Sequence, residues 1–282
     1  MLFKATAEQT VFMLKTRKAV CVFCILLFMV IANFIGNVLY FQGEDIVEMV
    51  HPMRLVLLSY DRTNLNASNT LLLTMLYPIL VVCPTGFSLA QEQQLGVQVY
   101  FVARQGRTAY YISKFMSAFL ATMIVFTVPF LVEILLNCLS FPLSATGNMT
   151  HMSIYDYEYI DAVNQYWMKN FYFISPYLYT IIGTLLFGII SGLLGCFTVA
   201  VSALIRVKYN VLLFLPVCIA LNLSTILSSR LLKGTSSIKW YDYILLFNDE
   251  IKNTGFGIAI ILFLIIFPVI VFFVNVRKDC LQ

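Results

Sequence analysis

Charge is what this sequence has least of. Asp, Glu, Lys and Arg make up 11% of the 282 residues, apolar side chains make up 60%, and mean hydropathy is +0.87. A water-soluble domain of this size needs far more polar surface, so the composition points to an integral membrane protein. Histidine is scarcer still: the two, His51 and His151, lie in different segments, and Glu48 beside His51 does not make a metal site by itself. No Gly-rich run ending in Gly-Lys-Ser/Thr occurs, so there is no phosphate-cradling loop. Any ATP-driven activity therefore has to be powered by another chain. Ionisable residues are missing from the apolar runs except for Glu133, which speaks against an intramembrane metalloprotease or a proton relay. No filter-like glycine motif marks a channel. We assign no catalytic residue, no metal ligand and no cofactor to this chain, and do not expect an enzyme.

The seven cysteines carry little chemistry. Cys21, Cys24, Cys83, Cys196 and Cys218 lie in apolar runs, Cys280 follows the last one, and only Cys138 approaches the outer face, so no internal extracellular disulfide is expected. The Cys21 and Cys24 spacing sits in an apolar helix without a second pair and reads as small packing residues.

What the sequence has in abundance is long apolar runs. Six of them, 19–41, 69–90, 115–136, 175–203, 209–228 and 255–275, each approach the roughly 20 residues that cross a hydrocarbon core. They lack the alternation of barrel strands, so they read as helices, and the fold class is an all-α membrane protein in a single transmembrane domain, 1–282. Placing the N-terminus inside puts 11 of the 18 basic residues in inner segments, while ten acids fall outside. Both termini are expected in the cytoplasm, and the net charge of +4 is explained by topology rather than by a nucleic-acid partner. The first run is too long for a secretion signal and has no small-residue cleavage site after it.

Residues 1–18 group Phe3, Ala7, Val11 and Leu14 on one side and Lys4, Glu8 and Lys15 on another. They read as an interfacial helix on the inner leaflet or, more plainly, as a frayed tail. Gly188 and Gly192 form a small-xxx-small pair that admits another helix at close range. Pro78, Pro84, Pro129, Pro216 and Pro268 kink or interrupt spans, as suits a moving bundle or a static one. Polar residues at depth mark either a translocation surface or interhelical hydrogen bonding; the candidates are Asn33, Asn37, Glu133, Asn222 and Thr225. The outer stretch 155–173 interleaves aromatics with Asp156, Glu158 and Asp161, either as an interfacial aromatic belt or as a vestibule for amphipathic or cationic cargo.

The largest inner loop, 91–114, breaks around Gly96 and Gly106 into two short helical stretches, 91–95 and 97–103, bearing Glu92, Arg104 and Arg107. It is either a docking surface or a solvated loop. Its order of Glu92, Gly96, Arg107 and Lys114 resembles the inner loop of the membrane subunit of type-2 ATP-binding-cassette (ABC) transporters, although "ARQGR" replaces a proline-containing turn and Ser113 a glycine. The resemblance implies a permease that forms half of a translocation path with a second membrane subunit, identical or related. It implies two cytoplasmic ATPase subunits that bind ATP and Mg and press on the coupling segment, to which we assign Glu92, Gly96, Arg104, Arg107 and Lys114. It also implies an outer gate at 229–254. Small permeases of this kind resemble exporters of antimicrobial or cytolytic peptides, drugs or lipid-linked glycans in a bacterial plasma membrane. The outer aromatic and acidic residues favour amphipathic peptides, for export or self-immunity. A non-transporting membrane sensor or immunity protein shares the topology.

Overall fold

The structure is a computed structural model that describes residues 2–43, 51–59, 67–142, 166, 168–204, 210–231, 240–248 and 254–277. Among these residues the regular structure is all helical, with one isolated bridge between Ser59 and Leu246. Four helices are long and apolar enough to cross a membrane: Arg17–Tyr40, Arg107–Ser140, Pro176–Leu204 and Gly257–Arg277. Two shorter apolar helices, Ser68–Val82 and Phe214–Leu223, coincide with the second and fifth apolar runs.

In chain order the helices are α1 (Leu2–Leu14), α2 (Arg17–Tyr40), α3 (Ala67–Val82), α4 (Ser88–Gln94), α5 (Gln98–Gln105), α6 (Arg107–Ser140), α7 (Lys169–Ile174), α8 (Pro176–Leu204), α9 (Phe214–Leu231) and α10 (Thr254–Arg277). Thr16 separates α1 from α2 by capping the second helix, its hydroxyl accepting the Ala19 N–H at 3.3 Å. The second apolar run bends early: α3 ends at Val82 rather than near residue 90. Pro84 disfavours helix at Cys83, and a side chain on Gly86 would strike the Val82 carbonyl, so the chain turns there and restarts as α4.

The third run gains length at its other end. Gly106 adopts φ 82°, closes α5 by donating to the Val102 carbonyl at 2.9 Å and opens α6 by accepting from Tyr110 at 3.0 Å. Helix α6 therefore absorbs 107–114, read from the sequence as loop, and its 34 residues span about 51 Å. That exceeds a hydrocarbon core of about 30 Å, so several of its turns project beyond one.

Helices α6 and α8 form the centre, with α1 and α2 against α6, α10 against α8, and α9 against α3. Side chains on Gly188, Gly192 and Gly195 of α8 would overlap Thr127, Phe119 and Thr122 of α6, so the glycine face is what lets these two helices meet. In lipid, such close contact and interhelical hydrogen bonds replace the hydrophobic drive of water. Tyr77 of α3 is fully buried here: its hydroxyl lies 2.9 Å from Ser191 Oγ, its ring stacks on Trp240 at 5.4 Å, and Phe126 and Phe187 flank it.

Two irregular segments are buried among the helices. Residues 51–59 include a 3-10 turn, Pro52–Leu55, and residues 240–248 include another, Trp240–Tyr243. Leu246 N–H donates to the Leu58 carbonyl at 2.8 Å, joining the two.

Candidate functional site

Two polar clusters stand out, at opposite ends of α6. The first lies where the short helices α4 and α5 fold back on its N-terminal turns. Tyr110 and Lys114 are one turn apart and share a face. Lys114 Nζ donates to Glu92 Oε1 at 2.5 Å, and the Tyr110 hydroxyl donates to Glu92 Oε2 at 2.5 Å. The Lys114 side chain is 3% exposed and that of Glu92 is 21% exposed, so water screens this pair poorly. A buried ammonium without a counter-charge is strongly disfavoured, and Glu92 supplies that charge. Gln98 of α5 donates to the Tyr111 hydroxyl at 2.9 Å, and the Phe101 ring stacks on Tyr110. From α1, Gln9 accepts the Ser117 hydroxyl at 3.3 Å, and Met13 packs with Leu89, Tyr110 and Tyr111.

The inward face of this hook is thus occupied, and its exposed side carries large apolar residues among the polar Gln91, Gln94 and Arg104. Leu95 is 76% exposed and Tyr100 78%, with Val99 and Phe101 beside them. Gly96, at φ 68°, sets the bend between α4 and α5, with open space where a side chain would point.

The second cluster lies toward the far end of α6 and centres on Glu133, which is fully buried. Its Oε1 accepts from Asn33 Nδ2 at 2.8 Å and from Leu57 N–H at 2.7 Å. Asn33 and Asn37, one turn apart on α2, both donate to the Leu55 carbonyl, at 2.9 and 2.8 Å. Asn69 donates to Asn33 Oδ1 at 3.2 Å, Thr70 to the Leu57 carbonyl at 3.0 Å, and Asn137 to the Pro52 carbonyl at 3.4 Å. Residues 51–59 form only one 3-10 turn, with Arg54 N–H bonded to the His51 carbonyl and Ser59 N–H to the Val56 carbonyl, so much of their backbone is left to these side chains to satisfy. Above this network His51 Nδ1 accepts the Met53 N–H at 3.2 Å, and burial, with the Arg54 charge second, lowers its pKa to about 4.

No family model, curated protein or solved structure matches the chain.

Of the expected coupling residues, Glu92 and Lys114 are brought into contact. Gly96 forms the bend, Arg104 is exposed at the end of α5, and Arg107 is half-buried as the first residue of α6. Of the polar residues at depth, Asn33, Asn37 and Glu133 converge. Asn222 stands apart on an exposed face of α9, donating to its own helix at Cys218 across 2.8 Å. The Thr225 side chain lies outside the described residues, as do most of 155–173 and, within 229–254, residues 232–239 and 249–253. From the aromatic stretch 155–173, Tyr166 is buried against Tyr172 and Tyr179 and receives a hydrogen bond from Arg54 at 3.2 Å. Among the described residues no group of three or more His, Cys, Asp or Glu is placed to hold a metal.

Residues that sequence reading passed over complete both clusters. Tyr110 was signalled only by its position one turn before Lys114. The segment 51–59 carried no signal beyond being apolar and too short to span.

Proposed function

We propose that the chain is the permease subunit of an ATP-driven exporter, with six spans, both termini in the cytoplasm and a place in a bacterial plasma membrane. The observation that carries this reading is the hook of α4, Gly96 and α5. It presents Leu95, Val99 and Tyr100 outward while Glu92, Lys114 and Tyr110 fix it to the end of the longest helix. A hook exposed on one side and bolted to a long helix on the other can receive a push from a partner and pass it on as rigid-body motion. The chain itself has no phosphate-binding loop, so that partner would be a separate ATPase, two copies serving two membrane subunits. Each membrane subunit would supply half of the path, and 229–254 would contribute to the outer gate. Helices α3 and α9, shorter than the other four, would complete the six spans.

For cargo we propose amphipathic peptides, on the strength of the aromatic residues and of Asp156, Glu158 and Asp161 in 155–173. Drugs and lipid-linked glycans are the competing cargoes. Affinity purification from native membranes tests the reading as a whole. An ATPase subunit should accompany the chain; purification without one would favour a sensor or immunity protein that transports nothing. The cargo assignment requires that amphipathic peptides stimulate ATP hydrolysis by the assembled complex, and an unstimulated rate would remove it.

A further inference from the structure

Glu133 has no cation within salt-bridge distance among the described residues, although its side chain is 0% exposed. Both of its hydrogen bonds, from Asn33 and from Leu57 N–H, fall on Oε1. Oε2 is buried and has no hydrogen-bond partner. One turn further along α6, Asn137 Oδ1 is also buried and also lacks one, and Asn137 is 0% exposed. Positions 133 and 137 share a helix face, so two buried acceptor oxygens, each without a hydrogen-bond partner, belong to the same side of α6.

Among the described residues no cation is bonded to Oε2. Segment 51–59 brings His51, whose Nδ1 is bonded to Met53, and Arg54, which donates to Tyr166. From α2 come Asn33 and Asn37, and from α3 Asn69 and Thr70, all of them neutral. Helix α8 carries the phenols Tyr177, whose ring meets His51, and Tyr179; α6 itself carries the thiol of Cys138; and segment 240–248, bonded to Leu58 through Leu246, carries the buried Asp242, an acid. A buried carboxylate with no counter-charge and one oxygen unbonded is strongly disfavoured, even with two hydrogen bonds to the other oxygen.

We propose that Glu133 and Asn137 form a binding site for one positive charge, a proton or a monovalent cation such as Na+ that keeps part of its water shell. A proton would make Oε2 a hydroxyl donor with Asn137 Oδ1 as its acceptor. A cation would take both oxygens as ligands. Either occupant neutralises the carboxylate and leaves Oε1 to hold Asn33 and Leu57. The same side chain anchors segment 51–59, so withdrawing that segment and releasing the positive charge become linked events. This inference does not depend on the transport reading.

The test uses the full chain in lipid nanodiscs, with Glu133→Gln as the neutral isostere. If the occupant is a proton, infrared spectra of the unsubstituted protein contain a carboxylic-acid C=O band that Glu133→Gln lacks. Its thermal midpoint then falls, relative to that of the variant, as pH rises above the ordinary carboxylate range, where only the folded state still holds the proton. If the occupant is Na+, the band is absent, and the midpoint rises when NaCl replaces choline chloride, in the unsubstituted protein only. An ionised carboxylate with no acid band and no cation dependence overturns the site. Should Glu133→Gln not fold, Asn137→Leu takes its place. That variant should shift the band or weaken the Na+ effect, and an unchanged response overturns the two-residue site.

Discussion

Lys114 Nζ donates to Glu92 Oε1 across 2.5 Å, and the bond joins the hook of α4 and α5 to α6, the longest helix among the described residues. Tyr110 completes the grip from the preceding turn of α6. In this arrangement the Glu92 carboxylate is spent inside the chain. Under the proposed function, contact with the ATPase would fall to the exposed Leu95, Val99 and Tyr100, and the carboxylate would set the angle at which they are presented.

Removing one partner of that pair strands the other. Glu92→Ala leaves a buried ammonium and should cost about 3 kcal/mol, read as a lower thermal midpoint in detergent. Adding Lys114→Met should restore most of the loss. Additive losses in the double variant would show that the pair is not coupled.

The Asn33 amide serves two acceptors and its carbonyl a donor, whereas the Asn37 amide serves only the Leu55 carbonyl, which Asn33 also reaches. Asn33→Ala should therefore destabilise by about 2 kcal/mol and Asn37→Ala by less than about 1 kcal/mol. Equal losses would contradict this division of labour.

Glycines in the two central helices differ from those elsewhere. A side chain at Gly188 meets Thr127 of α6, so Gly188→Val should cost about 1–3 kcal/mol. Nothing lies within 4 Å of a Cβ built on Gly36 in α2, and Gly36→Ala should be neutral or stabilising by up to about 1 kcal/mol. Chemical unfolding of both variants in one detergent checks the contrast.

His51 gives a pH dependence of definite sign. Its pKa falls from 6.5 in an open chain to about 4 in the fold. Between those values the unfolded chain binds more protons, so the His51 contribution is complete above about pH 6.5 and is lost as pH falls toward 4. His51→Asn keeps an acceptor for Met53 N–H without a titrating group. Its thermal midpoint should fall less than that of the unsubstituted protein over this window.

The all-helical class and the positions of the long apolar helices were legible because hydropathy and length are one-dimensional signals. The bends at Gly96 and Gly106 were legible because a positive φ favours glycine. The Glu92–Lys114 contact joins residues on two different helices, and spacing in the sequence does not encode that distance. Asn33, Asn37 and Glu133 could be picked out as costly in lipid. Their common purpose could not, because what they satisfy is the backbone of 51–59, and a backbone carbonyl leaves no mark in the sequence. Segment 51–59 reads as a loop by length, yet Met53 and Leu57 are fully buried.

The most direct test of the account replaces Tyr100, 78% exposed on the hook, with a photo-crosslinking phenylalanine analogue in native membranes. The account predicts a covalent adduct with a protein that contains a nucleotide-binding P-loop, lost when Gly96→Trp distorts the bend. An adduct with no such protein would contradict it.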